Sequence, residues 1–179
     1  KDALWDYEVP VPPYMYPTML ANASEKENKG LEILIRATPI QTEKFTWNTN
    51  VSYSTNSNKV VALSSEKFSM DQDYFYTGYT GEPIQTTTHI VQVGKPIGTF
   101  YGLKSVDITD DGRWLVENKK GEHVLAEETD ATDWQVLGNG IPKHYLNWNN
   151  TFNFFNFDLS INMRGAFGCQ ILNYQRMYY

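Results

Sequence analysis

The sequence is short of several things that would define a simpler protein. It has one cysteine, Cys169, so no internal disulfide can form and no thiol spacing marks a metal site. No apolar run approaches the roughly 18 residues that a membrane-spanning helix needs. Positive charge is scarce and unclustered. With 15 Lys and Arg against 21 Asp and Glu, the net charge is −6, which argues against nucleic acid as a partner, because phosphate contacts need grouped cations. Leu-, Ala- and Lys-rich helical stretches are missing. So are an initiating Met and a leader with a charged n-region, from which we expect a chain that begins inside a longer protein. His89, His123 and His144 are scattered without nucleophile or metal-ligand spacing. With no catalytic constellation in view, neither an enzymatic activity nor a cofactor is expected.

What is plentiful points to strands. Aromatic residues make up 15% of the chain, and Asn and Thr are abundant. Six segments predict strands, at residues 29–40, 45–55, 85–93, 98–107, 144–154 and 157–167. The second alternates almost strictly. Phe45, Trp47, Thr49, Val51 and Tyr53 point one way, and Thr46, Asn48, Asn50, Ser52 and Ser54 the other. In the fifth, Leu146, Trp148, Phe152 and Phe154 share a face, with Asn150 as the exception. In the sixth, Phe157, Leu159, Ile161 and Met163 oppose Asp158, Ser160, Asn162 and Arg164. A period of two means one apolar face and one wet face.

The connections predict the architecture. Strands one and two, three and four, and five and six are joined by short turns near residues 41–44, 94–96 and 155–156. Long segments, 56–84 and 108–143, separate these hairpins, and another, 1–28, precedes the first. Short turns at one end and long loops at the other are the asymmetry of an outer-membrane β-barrel, with turns in the periplasm and loops outside. The low mean hydropathy of −0.50 does not oppose this, because a barrel strand shows lipid only at every second residue. A one-residue slip in either outer hairpin would place Asn and Ser on the apolar face, so the register is strongly specified. The polar faces are mostly Asn, Ser and Thr rather than Lys and Glu, which suits a wet or plugged lumen. The competing reading is a soluble β-sandwich, such as a carbohydrate-binding module.

Seven short motifs in order then resemble the SusC/RagA family of TonB-dependent transporters. They are NKGLE at 28–32 with Thr38 and Pro39 as a following turn and FTWNT at 45–49, NSNKV at 56–60, VGKPIGTFYG at 93–102, LGNGIPK at 137–143, WNNTF at 148–152, NFDLS at 156–160 and RGAFG at 164–168. The resemblance covers residues 9–179. One departure is at 107–114, DITDDGRW, where many relatives carry a DNGDG loop. The resemblance implies an all-β fold, an antiparallel segment of about six strands from the C-terminal part of a 22-stranded transmembrane barrel. It implies location in the bacterial outer membrane, import of glycans or oligosaccharides (with peptides as the alternative cargo), a SusD-like surface lipoprotein as a lid, and a TonB complex as the drive. The plug and TonB box of such proteins have no counterpart in these residues, and the ending RMYY differs from the closing Phe of outer-membrane barrels. The whole chain is therefore expected to be part of one barrel domain.

Candidate site residues follow in three groups, each with a plainer reading beside it. Tyr74, Phe75, Tyr76, Tyr79, Trp114 and Trp134 lie in the long segments. Their rings could hold sugar faces or seat the lid, or simply pack on neighbouring loops. Glu32, Arg36, Asn48, Asn50, Asp158 and Arg164 occupy polar strand faces, and would face the lumen or, more simply, pair with the plug. Phe45, Trp47, Val51, Tyr53, Trp148, Phe152, Phe154, Phe157, Leu159 and Ile161 would face lipid, with Trp47, Tyr53 and Trp148 as candidates for the interfacial aromatic girdles. Asp107, Asp110 and Asp111 lack the spacing and closing Glu of a calcium loop and read better as a tight hairpin turn.

Overall fold

The computed structural model describes residues 2–8, 15–64 and 72–178. The remainder of the leading segment, residues 65–71 of the first long loop and the terminal Tyr179 lie outside the described residues. The fold is all-β, with twelve strands among the described residues: β1 (Asp2–Glu8), β2 (Thr18–Gln41), β3 (Phe45–Ala62), β4 (Tyr74–Tyr79), β5 (Thr87–Gln92), β6 (Thr99–Gly102), β7 (Lys104–Ile108), β8 (Trp114–Glu117), β9 (His123–Leu125), β10 (Gln135–Asn139), β11 (His144–Phe154) and β12 (Phe157–Phe167). Among the described residues, helix is limited to two 3-10 turns, Ala126–Glu128 and Ala131–Asp133, and one α-turn, Gln175–Tyr178.

The strands form three sheets. The first has the order β1-β2-β3-β11-β12, the second β10-β6-β5-β4 and the third β7-β8-β9. The predicted strands 144–154 and 157–167 coincide with β11 and β12, joined by a two-residue turn. The three-residue turn 42–44 joins β2 and β3, where the Thr42 amide donates to the Phe45 carbonyl at 2.8 Å. Strand β2 runs through Thr38 and Pro39 to Gln41, so the turn expected at those two residues comes later. Pro39 lies outside residues 18–25, the part of β2 that pairs with β1.

The middle of the chain departs from the sequence reading. Strands expected at 85–93 and 98–107 do form a hairpin, β5 with β6, but in a sheet separate from the other four. The segment 98–107 breaks after Gly102 into β6 and β7, and β7 joins the third sheet. The segments expected as loops, 56–84 and 108–143, contain the end of β3, β4, β8, β9 and β10, and the leading segment contains β1 and the start of β2. Period-two patterning marks a strand and its faces, but it does not say which strand will be the hydrogen-bonding partner. As β3 and β11 are paired neighbours, residues 63–143 are one long connection between them, built as two small sheets.

The chain divides into two compact units. One comprises Lys1–Glu27, Asn58–Gly140 and Gln170–Tyr179. The buried hydrophobic residues Val60, Leu63, Ile90 and Val116 all belong to it. The other, Asn28–Ser57 with Ile141–Cys169, is a single sheet layer, not the two stacked layers of a sandwich. Within it, Gly30 of the NKGLE motif approaches β3 so closely that a Cβ there would lie 2.7 Å from the Thr55 carbonyl oxygen.

Candidate functional site

The single-layer unit is a wall with two chemically distinct faces. Side chains alternate across a strand, and the registers align the apolar sets into rows. Phe45, Phe154 and Phe157 form one row, Trp47, Phe152 and Leu159 the next, and Val51, Trp148 and Met163 a third. Phe45 and Phe152 stack at 6.4 Å, and Trp47 and Phe152 at 5.9 Å. Nothing among the described residues covers this face. Phe157 is 75% exposed, Leu159 55% and Phe154 51%, while Phe45, Trp47, Val51, Tyr53 and Phe152 are half-buried by their neighbours in the sheet.

One polar row interrupts the apolar face: alternation puts both Thr49 and Asn150 on it, and the structure pairs them. Asn150 stands directly opposite Thr49. The Trp47 indole N–H donates to Asn150 Oδ1 at 3.1 Å, and the Trp148 indole N–H donates to Thr49 Oγ1 at 2.9 Å. The two indoles therefore satisfy the two misfits in the pattern, and Asn150 is buried. The signal that could have found this is that both exceptions share one row once the strands are aligned. Further along, the Tyr53 hydroxyl is 2.8 Å from His144 Nδ1 and the two rings stack.

The opposite face gathers the polar candidates. Arg36, Thr38, Asn48, Asn50, Asn149 and Thr151 line a shallow depression of about 470 Å³. Thr38 donates to Asn48 Oδ1 at 2.8 Å across β2 and β3. Asn50 faces Asn149, and Arg164 faces Asn147. Asp158 accepts from Asn153 Nδ2 at 2.6 Å near the turn. Glu32 and Arg36 are exposed on β2.

In the other unit, alternation along β4 places Tyr74 and Tyr76 on one side and Phe75 on the other. Three of the six aromatic candidates converge there with a fourth ring. Tyr76 stacks on Tyr101 of β6 at 5.7 Å and 23°, and meets Tyr74 at 5.5 Å and Trp134 at 6.3 Å. Tyr101 and Trp134 lie 6.1 Å apart. Tyr101 carries no signal of this role in the sequence, because its segment, 98–107, predicts a strand of the barrel wall. Burial pushes the Tyr76 phenol above its ordinary range, and the neighbouring Tyr101 and Tyr74 phenols push the same way. Tyr76 is nevertheless 44% exposed. The remaining candidates sit apart. Phe75 pairs with Val91 across the β4–β5 ladder, Tyr79 stands opposite Thr87 and is exposed, and Trp114 in the third sheet borders an open hollow with Asn173, Gln175 and Arg176.

Three of the sequence motifs prove to be one structural knot. Asn58 Oδ1 accepts from the Ile97 amide at 2.6 Å, and Asn139 Nδ2 donates to the Ile97 carbonyl at 2.9 Å. The Val60 amide donates to the Lys95 carbonyl, and the Gly140 amide to the Gly98 carbonyl. Gly94 and Gly98 adopt φ of 85° and 78°, the left-handed region that glycine enters without steric cost. The acidic stretch at 107–113 is a hairpin turn between β7 and β8. Its Asp111 carboxylate is held below the usual range by the Thr109 hydroxyl and the Arg113 side chain, and no cluster of three or more metal-ligating side chains occurs among the described residues.

No protein-family profile matches the chain. Curated relatives do. The TonB-dependent receptor P3 of Formosa agariphila is 29% identical over 178 residues, covering 92% of this chain and 17% of that protein. The TonB-dependent receptor SusC of Bacteroides thetaiotaomicron is 25% identical over 169 residues, covering 92% of this chain and 16% of that protein. The chain thus spans about a sixth of the length of these relatives. In fold it is similar to the RagAB peptide importer in its closed-closed state, with a TM-score of 0.73 at 15% identity over 94% of this chain and 18% of that one. The open-open state gives a TM-score of 0.74, covering 94% and 17%.

Proposed function

We propose that this chain, a SusC/RagA-like segment of a TonB-dependent receptor in the bacterial outer membrane, supplies barrel wall and an extracellular insertion to an importer of nutrients, glycans or oligosaccharides in the first place. The observation that carries the reading is the two-faced single-layer sheet. Its short turns, 42–44 and 155–156, lie at one end of the strands, and its one long connection, 63–143, leaves from the other, as expected of a barrel with periplasmic turns and outer loops. An uncovered apolar face with rows of Phe, Trp, Leu and Ile is costly in water and favourable against acyl chains. The opposite face, rich in Asn, Ser and Thr, suits a lumen or a plug domain elsewhere in the protein, with Arg36 and Arg164 available to pair with plug carboxylates. A peptide cargo is the second reading, favoured by the likeness in fold to a peptide importer.

A SusD-like surface lipoprotein is the proposed lid, seated mainly on the aromatic rings of residues 63–143, which contact substrate secondarily. Energy comes from a TonB complex acting on the part of the protein outside this chain. The test is uptake of labelled oligosaccharide and labelled peptide by cells with and without the gene, and with and without TonB. Oligosaccharide uptake that needs both is the expected result. Uptake of peptide alone favours the second reading, and uptake indifferent to the gene removes both.

A further inference from the structure

The sheet β10-β6-β5-β4 is built almost without charge. Its strands read QVLGN, TFYG, TTHIVQ and YFYTGY, with no Asp, Glu, Lys or Arg among them, in a chain whose charged residues make up 20%. On this sheet lie Tyr74, Tyr76 and Tyr101, joined by Trp134 immediately before β10. Each ring in the group touches at least one other, and Tyr76 touches all three.

A packed core does not explain the arrangement. The buried residues of this sheet are Thr88, Ile90 and Thr99, whereas Tyr76 keeps 44% of its surface exposed despite three aromatic neighbours. A rigid ring held in place by other rings, partly open to solvent, offers contact area at little cost in conformational entropy. The phenol hydroxyls of Tyr74, Tyr76 and Tyr101 can each donate and accept a hydrogen bond.

We propose that the platform of Tyr74, Tyr76, Tyr101 and Trp134 is a stacking subsite for an uncharged sugar ring. A pyranose presents a face of C–H groups bordered by hydroxyls, which matches ring faces bordered by phenols. A peptide brings charged termini and often charged side chains, and the four strands carry no ion to pair with them; of the acids that flank the rings, Asp133 already accepts from the Lys119 and Asp130 amides, and Asp73 before Tyr74 offers no cation. The consequence for uptake rests on the import reading above, but the binding itself does not.

The experiment uses the full-length receptor in detergent and isothermal titration calorimetry. The probes are maltohexaose, cellohexaose, laminarihexaose, mannohexaose and xylohexaose, with an unblocked tetrapeptide as the contrasting ligand. At least one neutral oligosaccharide is expected to bind. Tyr76→Ala should weaken it about tenfold, the scale of one lost ring contact, while Tyr76→Phe, which keeps the ring, retains most of the affinity. Binding of the tetrapeptide that depends on Tyr76 in place of sugar overturns the proposal. So does equal sugar affinity in wild type and Tyr76→Ala, or no binding of any neutral member. TonB-dependent uptake measured in the same strains separates the two ideas. No uptake by cells carrying the parent receptor, despite Tyr76-dependent binding, strikes the import reading alone, and normal uptake with Tyr76-independent binding strikes the platform alone.

Discussion

At the scale of single residues, the uncovered apolar face makes its polar members the most informative. In hydrocarbon an amide or hydroxyl without a partner is strongly disfavoured, and Thr49 and Asn150 avoid that through the indoles of Trp148 and Trp47. Asn150→Leu leaves the Trp47 N–H unpaired and should cost about 1–3 kcal/mol. The double variant Trp47→Phe/Asn150→Leu removes both partners and should recover most of the loss. The check is the guanidinium midpoint of the full-length receptor in lipid, and a double variant no better than the single would refute the pairing argument. Val51→Arg or Ile161→Arg puts a cation on the same face and should disfavour membrane assembly by about 2–4 kcal/mol near the midplane. Parent-like yields of folded receptor in the outer membrane would reverse the face assignment.

At the scale of elements, hairpins were legible and their partners were not. Strands β11 and β12 could be drawn to the residue because Phe154 and Phe157 flank a two-residue turn and, Asn150 apart, every second residue leading away from it to Leu146 and Met163 is apolar. The β5–β6 hairpin was equally visible as a hairpin, but its membership of a separate sheet depends on β4 and β10, which lie within stretches that carry no strict alternation. The knot that ties Asn58, Ile97 and Asn139 together was visible as three motifs and invisible as one contact, since its members are 39 to 42 residues apart in the chain. Asn139→Asp removes both donors of the Nδ2 group, to the Ile97 carbonyl and to Thr99 Oγ1. Residues 63–143 should then be cut faster by protease added to intact cells, with the rest of the receptor unchanged. Equal cleavage of parent and variant would mean that the knot does not hold this connection.

At the scale of the whole molecule, the chain spans about a sixth of the length of its curated relatives, and under the proposed importer reading its long connection is where partners would meet it. A connection of this length is far beyond what joining two neighbouring strands requires, and such segments are usually functional. Replacing Tyr74, Tyr76 and Tyr79 together with Ala should lower both co-purification of the surface lipoprotein and growth on the imported nutrient. Unchanged co-purification with unchanged growth would remove these rings from the function. Lost growth with the lipoprotein still bound would assign them to substrate alone. Of the six aromatic candidates, the structure groups Tyr74, Tyr76 and Trp134, adds Tyr101, and leaves Phe75, Tyr79 and Trp114 elsewhere.

The sequence by itself determined the all-β class, the two-faced character of the wall, the outer hairpins and, for β11 with β12, the register that sets Phe154 opposite Phe157 and Phe152 opposite Leu159. These are local consequences of alternation and of turn length, and a shift of one residue would exchange the faces. Only the tertiary structure decided that β3 pairs with β11 across 81 intervening residues, that the middle strands form sheets of their own, and that Thr49 answers Asn150. Those outcomes rest on backbone hydrogen bonds and ring contacts between residues far apart in the chain. Every strand offers the same donors and acceptors, so neither periodicity nor composition can name the partner.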